Sequence, residues 1–97
     1  MASPQGAPLF DLGRVVATPG AMALLVAAGE NPARLLDRHA SDDWGEVPPE
    51  DARENERSLK YGWRVMSSYP VGNAGERLWV LTEADRSSTC ILLPSEY

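Results

Sequence analysis

Thiols are nearly absent from this chain: Cys90 is its only cysteine. One thiol closes no internal disulfide and builds no thiolate zinc site, so a reducing compartment is expected. Histidine is equally scarce, with His39 alone, and no zinc-ligand spacing is present, so no metal is expected. Cations are outnumbered: nine Lys and Arg stand against fourteen Asp and Glu, for a net charge of −5. That balance argues against a chain whose main task is gripping DNA or RNA, because such grips need clustered Lys and Arg. Long apolar runs are missing too. The longest, Ala21 to Ala28, falls far short of the roughly 20 residues of a membrane helix. The first ten residues carry neither a basic start nor an apolar core, so no secretory leader is expected and a cytoplasmic location is. Phosphate-binding glycine loops of the G-x-x-x-x-G-K and G-x-G-x-x-G types are absent, as is the G-x-S-x-G nucleophile turn, and no cofactor is implied.

What is present fits one small domain of 97 residues with an ordinary 43% of hydrophobic side chains. The start, MASPQGAP, is small and polar, so residues 1–9 are expected to be a disordered tail and residues 10–97 the domain. Leu12 to Ala17 reads as a short strand. Thr18-Pro19 and Asn31-Pro32 each pair a capping side chain with a proline at the first helical position, and so start two helices. The first should run to Ala28, with Met22, Leu25 and Val26 on its inner face, and end at Gly29. The second carries Leu35, Leu36 and His39. Turn formers fill Ala40 to Pro49 around Trp44, and a third, highly charged helix spans about Glu50 to Tyr61, with a narrow stripe of Ala52, Asn55 and Leu59.

The rest is read as strand. Trp63–Tyr69, Arg77–Thr82 and Ser88–Leu93 are separated by the turn-rich PVGNAGE and EADRS. Short connections make these three an antiparallel meander, which the first strand could extend at one edge. The expected architecture is α+β: a three- to four-stranded antiparallel sheet with about three helices packed on one face.

Several clusters could carry chemistry. His39 stands near Asp42 and Asp43, a combination suited to acid–base work, although a helix-ending histidine beside turn-capping aspartates explains the same residues. TEADRSST places Glu83, Asp85 and Arg86 in one turn, which suits either a ligand-binding cluster or a solvated hairpin. Asn55, on the inner stripe of the third helix, needs hydrogen-bond partners if buried. Leu78 and Trp79 must point to opposite sheet faces. If helices cover only one face, Met66, Trp79 and Leu81 remain on the other, open to a partner unless the N-terminal segment covers them; Trp44 adds aromatic surface.

The stretches LGRVVATPGA, LLDRHASDDWGEV, EDARENERSLKYG, RVMSSY and LWVLTEADRSSTCILLPSEY resemble a family of small proteins of bacterial plasmids and other mobile elements, loosely labelled plasmid-related. The likeness covers nearly all of Phe10 to Tyr97; Cys90 stands where Thr would be expected, and Asp42 where Gly would be. The resemblance implies no catalytic residue and no cofactor, and it makes interference with a host defence system plausible. The leading expectation is a non-enzymatic interaction protein that binds a protein partner or a second copy of itself through Trp44, Met66, Trp79 and Leu81. Its rival is a small hydrolase or nuclease-like enzyme built on His39, Asp43, Glu83, Asp85 and Arg86. A membrane partner is not expected, and a nucleic acid is disfavoured by the charge.

Overall fold

A computed structural model describes residues 8–97. The expectation of a tail over residues 1–9 therefore lies, for residues 1–7, outside the described residues. Leu9 is already tied down, its N–H donating to the Ala40 carbonyl at 2.8 Å. The elements follow in the order β1 (Arg14–Ala17), α1 (Pro19–Ala28), α2 (Pro32–Ala40), α3 (Pro49–Tyr61), β2 (Val65–Val71), β3 (Glu76–Thr82) and β4 (Ser88–Leu92), closed by a 3-10 turn at Pro94–Glu96.

Local chemistry sets the helix ends. Thr18 Oγ1 accepts from the Ala21 N–H and Asn31 Oδ1 from the Ala33 N–H, both at 3.0 Å, and each cap precedes a proline. These bonds satisfy donors that a helix start leaves orphaned. Gly29 and Gly62 end α1 and α3 in the left-handed conformation, at φ 67° and 77°. The inner face of α1 differs from expectation. Ala21 and Leu25 are buried, whereas Met22 and Val26 are 43% and 75% exposed. Apolar side chains ring this helix almost completely, so periodicity alone selects no face. Ala21 and Leu25 are the side chains that meet the sheet.

The sheet runs β1-β4-β3-β2. Its C-terminal three strands form the expected meander: Val80 lies opposite Ser67 on one side and Ile91 on the other. The sheet as a whole is mixed rather than purely antiparallel, because β1 pairs with β4 in parallel, Val16 opposite Cys90. A parallel partner needs a long crossover, and the three helices between β1 and the meander supply it. β2 extends two residues further than its alternation suggested, through Pro70 and Val71. Proline is tolerated there because β2 is an edge strand. Trp63, expected as the strand's first residue, lies before it and is exposed.

One sheet face presents Tyr69, Val71, Leu78, Val80 and Ile91 to Ala21 and Leu25 of α1 and Leu35 of α2. α3 seals the outer edge of β2. The Asn55 side-chain amide donates to the Met66 carbonyl at 2.7 Å and accepts from the Met66 N–H at 3.1 Å, as a neighbouring strand would. Further along the same edge, the Ser68 N–H donates to the Trp44 carbonyl and the Glu46 N–H to the Ser68 carbonyl. Gly45, between them, sits at φ 73°, and any Cβ there would collide with the Ser68 carbonyl. No helix is long and apolar enough to cross a membrane among the described residues.

Candidate functional site

His39 points into the core, not toward Asp42 and Asp43. Its ring is wholly buried, with Phe10 edge-on at 5.3 Å and Trp44 edge-on at 5.9 Å. Nδ1 lies 2.6 Å from Ser67 Oγ and Nε2 lies 2.9 Å from Thr82 Oγ1. The chain of contacts continues from Thr82 Oγ1 to Thr89 Oγ1 at 2.7 Å and from Thr89 Oγ1 to the Leu12 carbonyl at 2.7 Å. That carbonyl accepts only, so each proton in the chain has one place to go. Thr89 donates to Leu12, Thr82 donates to Thr89, and His39 Nε2–H donates to Thr82. Nδ1 is then the bare nitrogen and accepts from the Ser67 hydroxyl. Burial, reinforced by the nearby Arg86 cation, lowers the His39 pKa to about 4. The imidazole is therefore neutral at neutral pH.

Ser67 and His39 stand at the spacing of a nucleophile and its base, yet both are wholly buried. No substrate reaches Ser67 without unpacking the core, and both ring nitrogens are already bonded. The pair ties α2 to β2, and through Thr82 and Thr89 the chain of bonds reaches β3 and β4. Sequence reasoning missed the partners of His39, although a signal existed: Ser67, Thr82 and Thr89 occupy strand positions facing the same side as Val65, Val80 and Ile91. A hydroxyl on an inward position needs a polar partner, and His39 is the only imidazole available.

The remaining acid–base candidates disperse. Asp43 makes a two-pronged pair with Arg38, at 2.7 and 3.2 Å, and that bond holds its carboxyl below the usual range. Arg38 in turn lies over the Tyr69 ring, whose hydroxyl donates to the Asp43 carbonyl at 2.6 Å. Burial pushes the Tyr69 hydroxyl up to about 12. Glu83 pairs with Arg64 at 3.4 Å. Asp85 accepts from the Ser87 N–H at the tip of the β3–β4 turn, where hydrogen bonds from Ser87 hold its carboxyl low. Arg86 adopts φ 61°, a position that favours glycine, and its guanidinium offsets the strain. It donates to the carbonyls of Trp63 at 2.6 Å, Ser58 at 3.0 Å and Glu83 at 3.1 Å, and covers Phe10. Arg86 and His39 thus flank the same phenylalanine, but Asp43, Glu83 and Asp85 face elsewhere and no shared cleft collects the five.

Trp44, expected at an exposed interaction surface, is buried at 6% exposure. Its Nε1–H donates to Glu56 at 3.0 Å and its ring stacks on Phe10. It roofs His39. A broad cleft of about 620 Å³ opens beside this cluster, between residues 8–15 and α2, with Asp11, Asp37 and Arg86 among its walls. Arg86 spends its guanidinium on backbone carbonyls there.

Met66, Trp79 and Leu81 do share the second sheet face, on alternate positions of β2 and β3. Among the described residues, the N-terminal segment does not cover this face. The C-terminal turn partly does: Glu96 accepts from Thr18 Oγ1 at 2.6 Å and from the Leu93 N–H at 2.7 Å, and Tyr97 folds back edge-on against Trp79 at 5.5 Å. Leu81 is buried as a result, while Met66 and Trp79 stay half-buried. Two adjoining hollows remain. One, of about 270 Å³, lies between α3 and Tyr97 over Met66 and Leu81. The other, of about 180 Å³, lies over Met66, Ser68 and Trp79 beside Val47 and Pro48. Met66 and Asp51 border both. The arginines on the rim are paired, Arg64 with Glu83 and Arg77 with Glu46 at 2.7 Å, whereas Asp51 has no ion pair among the described residues. No family model matches the chain, and no curated protein or solved structure matches it significantly.

Proposed function

We propose that this chain is a non-enzymatic interaction protein that binds a protein partner on the open face of its sheet. The observation that carries the reading is the double hollow floored by Met66 and Trp79 and bordered twice by the unpaired Asp51. Half-buried Trp and Met with a polar rim are typical of contact hot spots. The fitting partner presents an apolar side chain flanked by Lys or Arg: the apolar group fills the hollow and the cations meet Asp51 and the exposed acids of α3. The net charge of −5 steers such a surface toward this one. In its most specific form, which follows from the resemblance to mobile-element proteins, the partner belongs to a host defence system and binding inhibits it. The engaged and dispersed states of His39, Asp43, Glu83, Asp85 and Arg86 favour binding over the hydrolase reading.

The test is capture from host lysate, followed by titration of the purified captured protein against wild type, Trp79→Ala and Asp51→Lys. Binding should weaken by about tenfold or more in each variant, the loss typical of a contact hot spot, and should weaken with salt. Equal affinity of all three proteins would place any interface elsewhere and overturn the reading, as would a failure to retain any protein.

A further inference from the structure

The two edges of this sheet are treated differently. The outer edge of β2 is sealed by Asn55 and by the backbone at Trp44 and Glu46. The outer edge of β1 has no such cover among the described residues: β1 pairs only with β4 and ends the strand order. The Arg14 N–H donates to the Ser87 carbonyl and the Thr18 N–H to the Ile91 carbonyl, both at 3.0 Å. Backbone groups alternate along a strand, so Arg14, Val16 and Thr18 face β4, and Val15 and Ala17 turn their N–H and C=O groups outward. Val15 and Val16 are 44% and 45% exposed. An open edge with apolar side chains is what folded proteins ordinarily blunt, because it templates pairing with another chain.

We propose that β1 pairs with β1 of a second copy of this chain, antiparallel about a two-fold axis at Val16. This register uses every outward group. Val15 and Ala17 of one copy face Ala17 and Val15 of the other, and each facing pair exchanges both of its backbone hydrogen bonds. Val16 meets Val16 across the axis. The same register sets Arg14 of one copy opposite Thr18 of the other, on the same sheet face. The Glu96 carboxylate lies there, bonded to Thr18 Oγ1 at 2.6 Å and held ionised by that hydroxyl and the Leu93 N–H. Arg14 has no ion pair within its own chain among the described residues, so its guanidinium is free to meet the partner copy's carboxylate, once on each side of the axis. This charge complementarity is what singles out a second copy as the occupant. The four-stranded sheet becomes continuous across the pair, and the open face proposed for partner binding stays uncovered.

Sedimentation equilibrium of the full chain tests this, from about 1 µM to about 500 µM, a range that spans the affinity of a small interface. The expected result is a reversible dimer of 10.6 kDa chains that weakens with salt. Val15→Pro removes an outward donor that the monomer does not use, and should be monomeric throughout with an unchanged far-UV spectrum. Should that variant misfold, Val16→Lys places two like charges on the axis at an exposed position and should also be monomeric. Arg14→Glu should weaken dimerisation by about tenfold or more, since it sets like charges together. Trp79→Ala should leave the dimer intact. A wild-type chain monomeric at the highest concentration overturns the proposal. So does a dimer that survives both β1 variants, or one that Trp79→Ala dissolves.

Discussion

Mild acid should destabilise this protein through His39. The folded imidazole is held neutral with a pKa of about 4, whereas an unfolded histidine titrates near 6.5. Between those values the unfolded chain binds a proton that the folded chain refuses, so stability rises with pH across this window. The contribution is fully present above pH 6.5 and is lost as the pH falls toward 4. The gap corresponds to about 3 kcal/mol at its limit, and about 2 kcal/mol is already gone at pH 5. A domain of this size holds about 5–10 kcal/mol in all, so the loss is a large share. Urea unfolding at pH 7, 6, 5 and 4.5 measures it. His39→Leu should be less stable at pH 7, because it strands the Ser67 and Thr82 hydroxyls, but its stability should be nearly flat across the window, so the gap to wild type narrows as the pH falls. The carboxylates held low, Asp43, Asp85 and Glu96, begin to lose their contribution only near pH 5 and below, so His39 sets the slope between pH 7 and pH 5. A wild-type stability unchanged from pH 7 to pH 4.5, or an NMR titration of His39 centred near 6.5, would refute the buried neutral relay.

Other substitutions probe the contacts that fix the loops and edges. Thr82→Val should cost about 1–3 kcal/mol in urea unfolding, because it strands His39 Nε2–H with no acceptor in the core. Asn55→Ala should cost about 2–4 kcal/mol, since it removes both bonds to the Met66 backbone and leaves that edge unpaired beneath α3. Gly45→Ala and Gly62→Ala form a matched pair at φ 73° and 77°. Gly62 has open space around it and should cost only the backbone strain, about 1 kcal/mol in the same assay. Gly45→Ala should cost at least twice that, because its methyl group displaces the Ser68 carbonyl as well; equal losses would mean the bridge from Gly45 to β2 is dispensable.

The local signals in the chain were strong enough to place most elements without any tertiary knowledge. Thr18-Pro19 and Asn31-Pro32 start helices because a cap and a fixed φ act within one turn, and Gly29 and Gly62 stop α1 and α3 for an equally local reason. Alternation through Val65–Tyr69 and Arg77–Thr82 placed the two sheet faces correctly, so Met66, Trp79 and Leu81 were legible as one surface. What the sequence could not decide are the relations between distant segments. Whether β1 runs parallel or antiparallel to β4 depends on the path of three helices, and whether Trp44 is buried depends on Phe10 and His39 meeting it. His39 itself has the same side chain in a catalytic cleft or a sealed core. Only packing settled which, by setting Ser67, Thr82 and Thr89 around it and excluding the water that would let it ionise. Capping and alternation are interactions between near neighbours and are written in residue order. Burial and partner choice come from segments dozens of residues apart, and the folded chain alone brings those together.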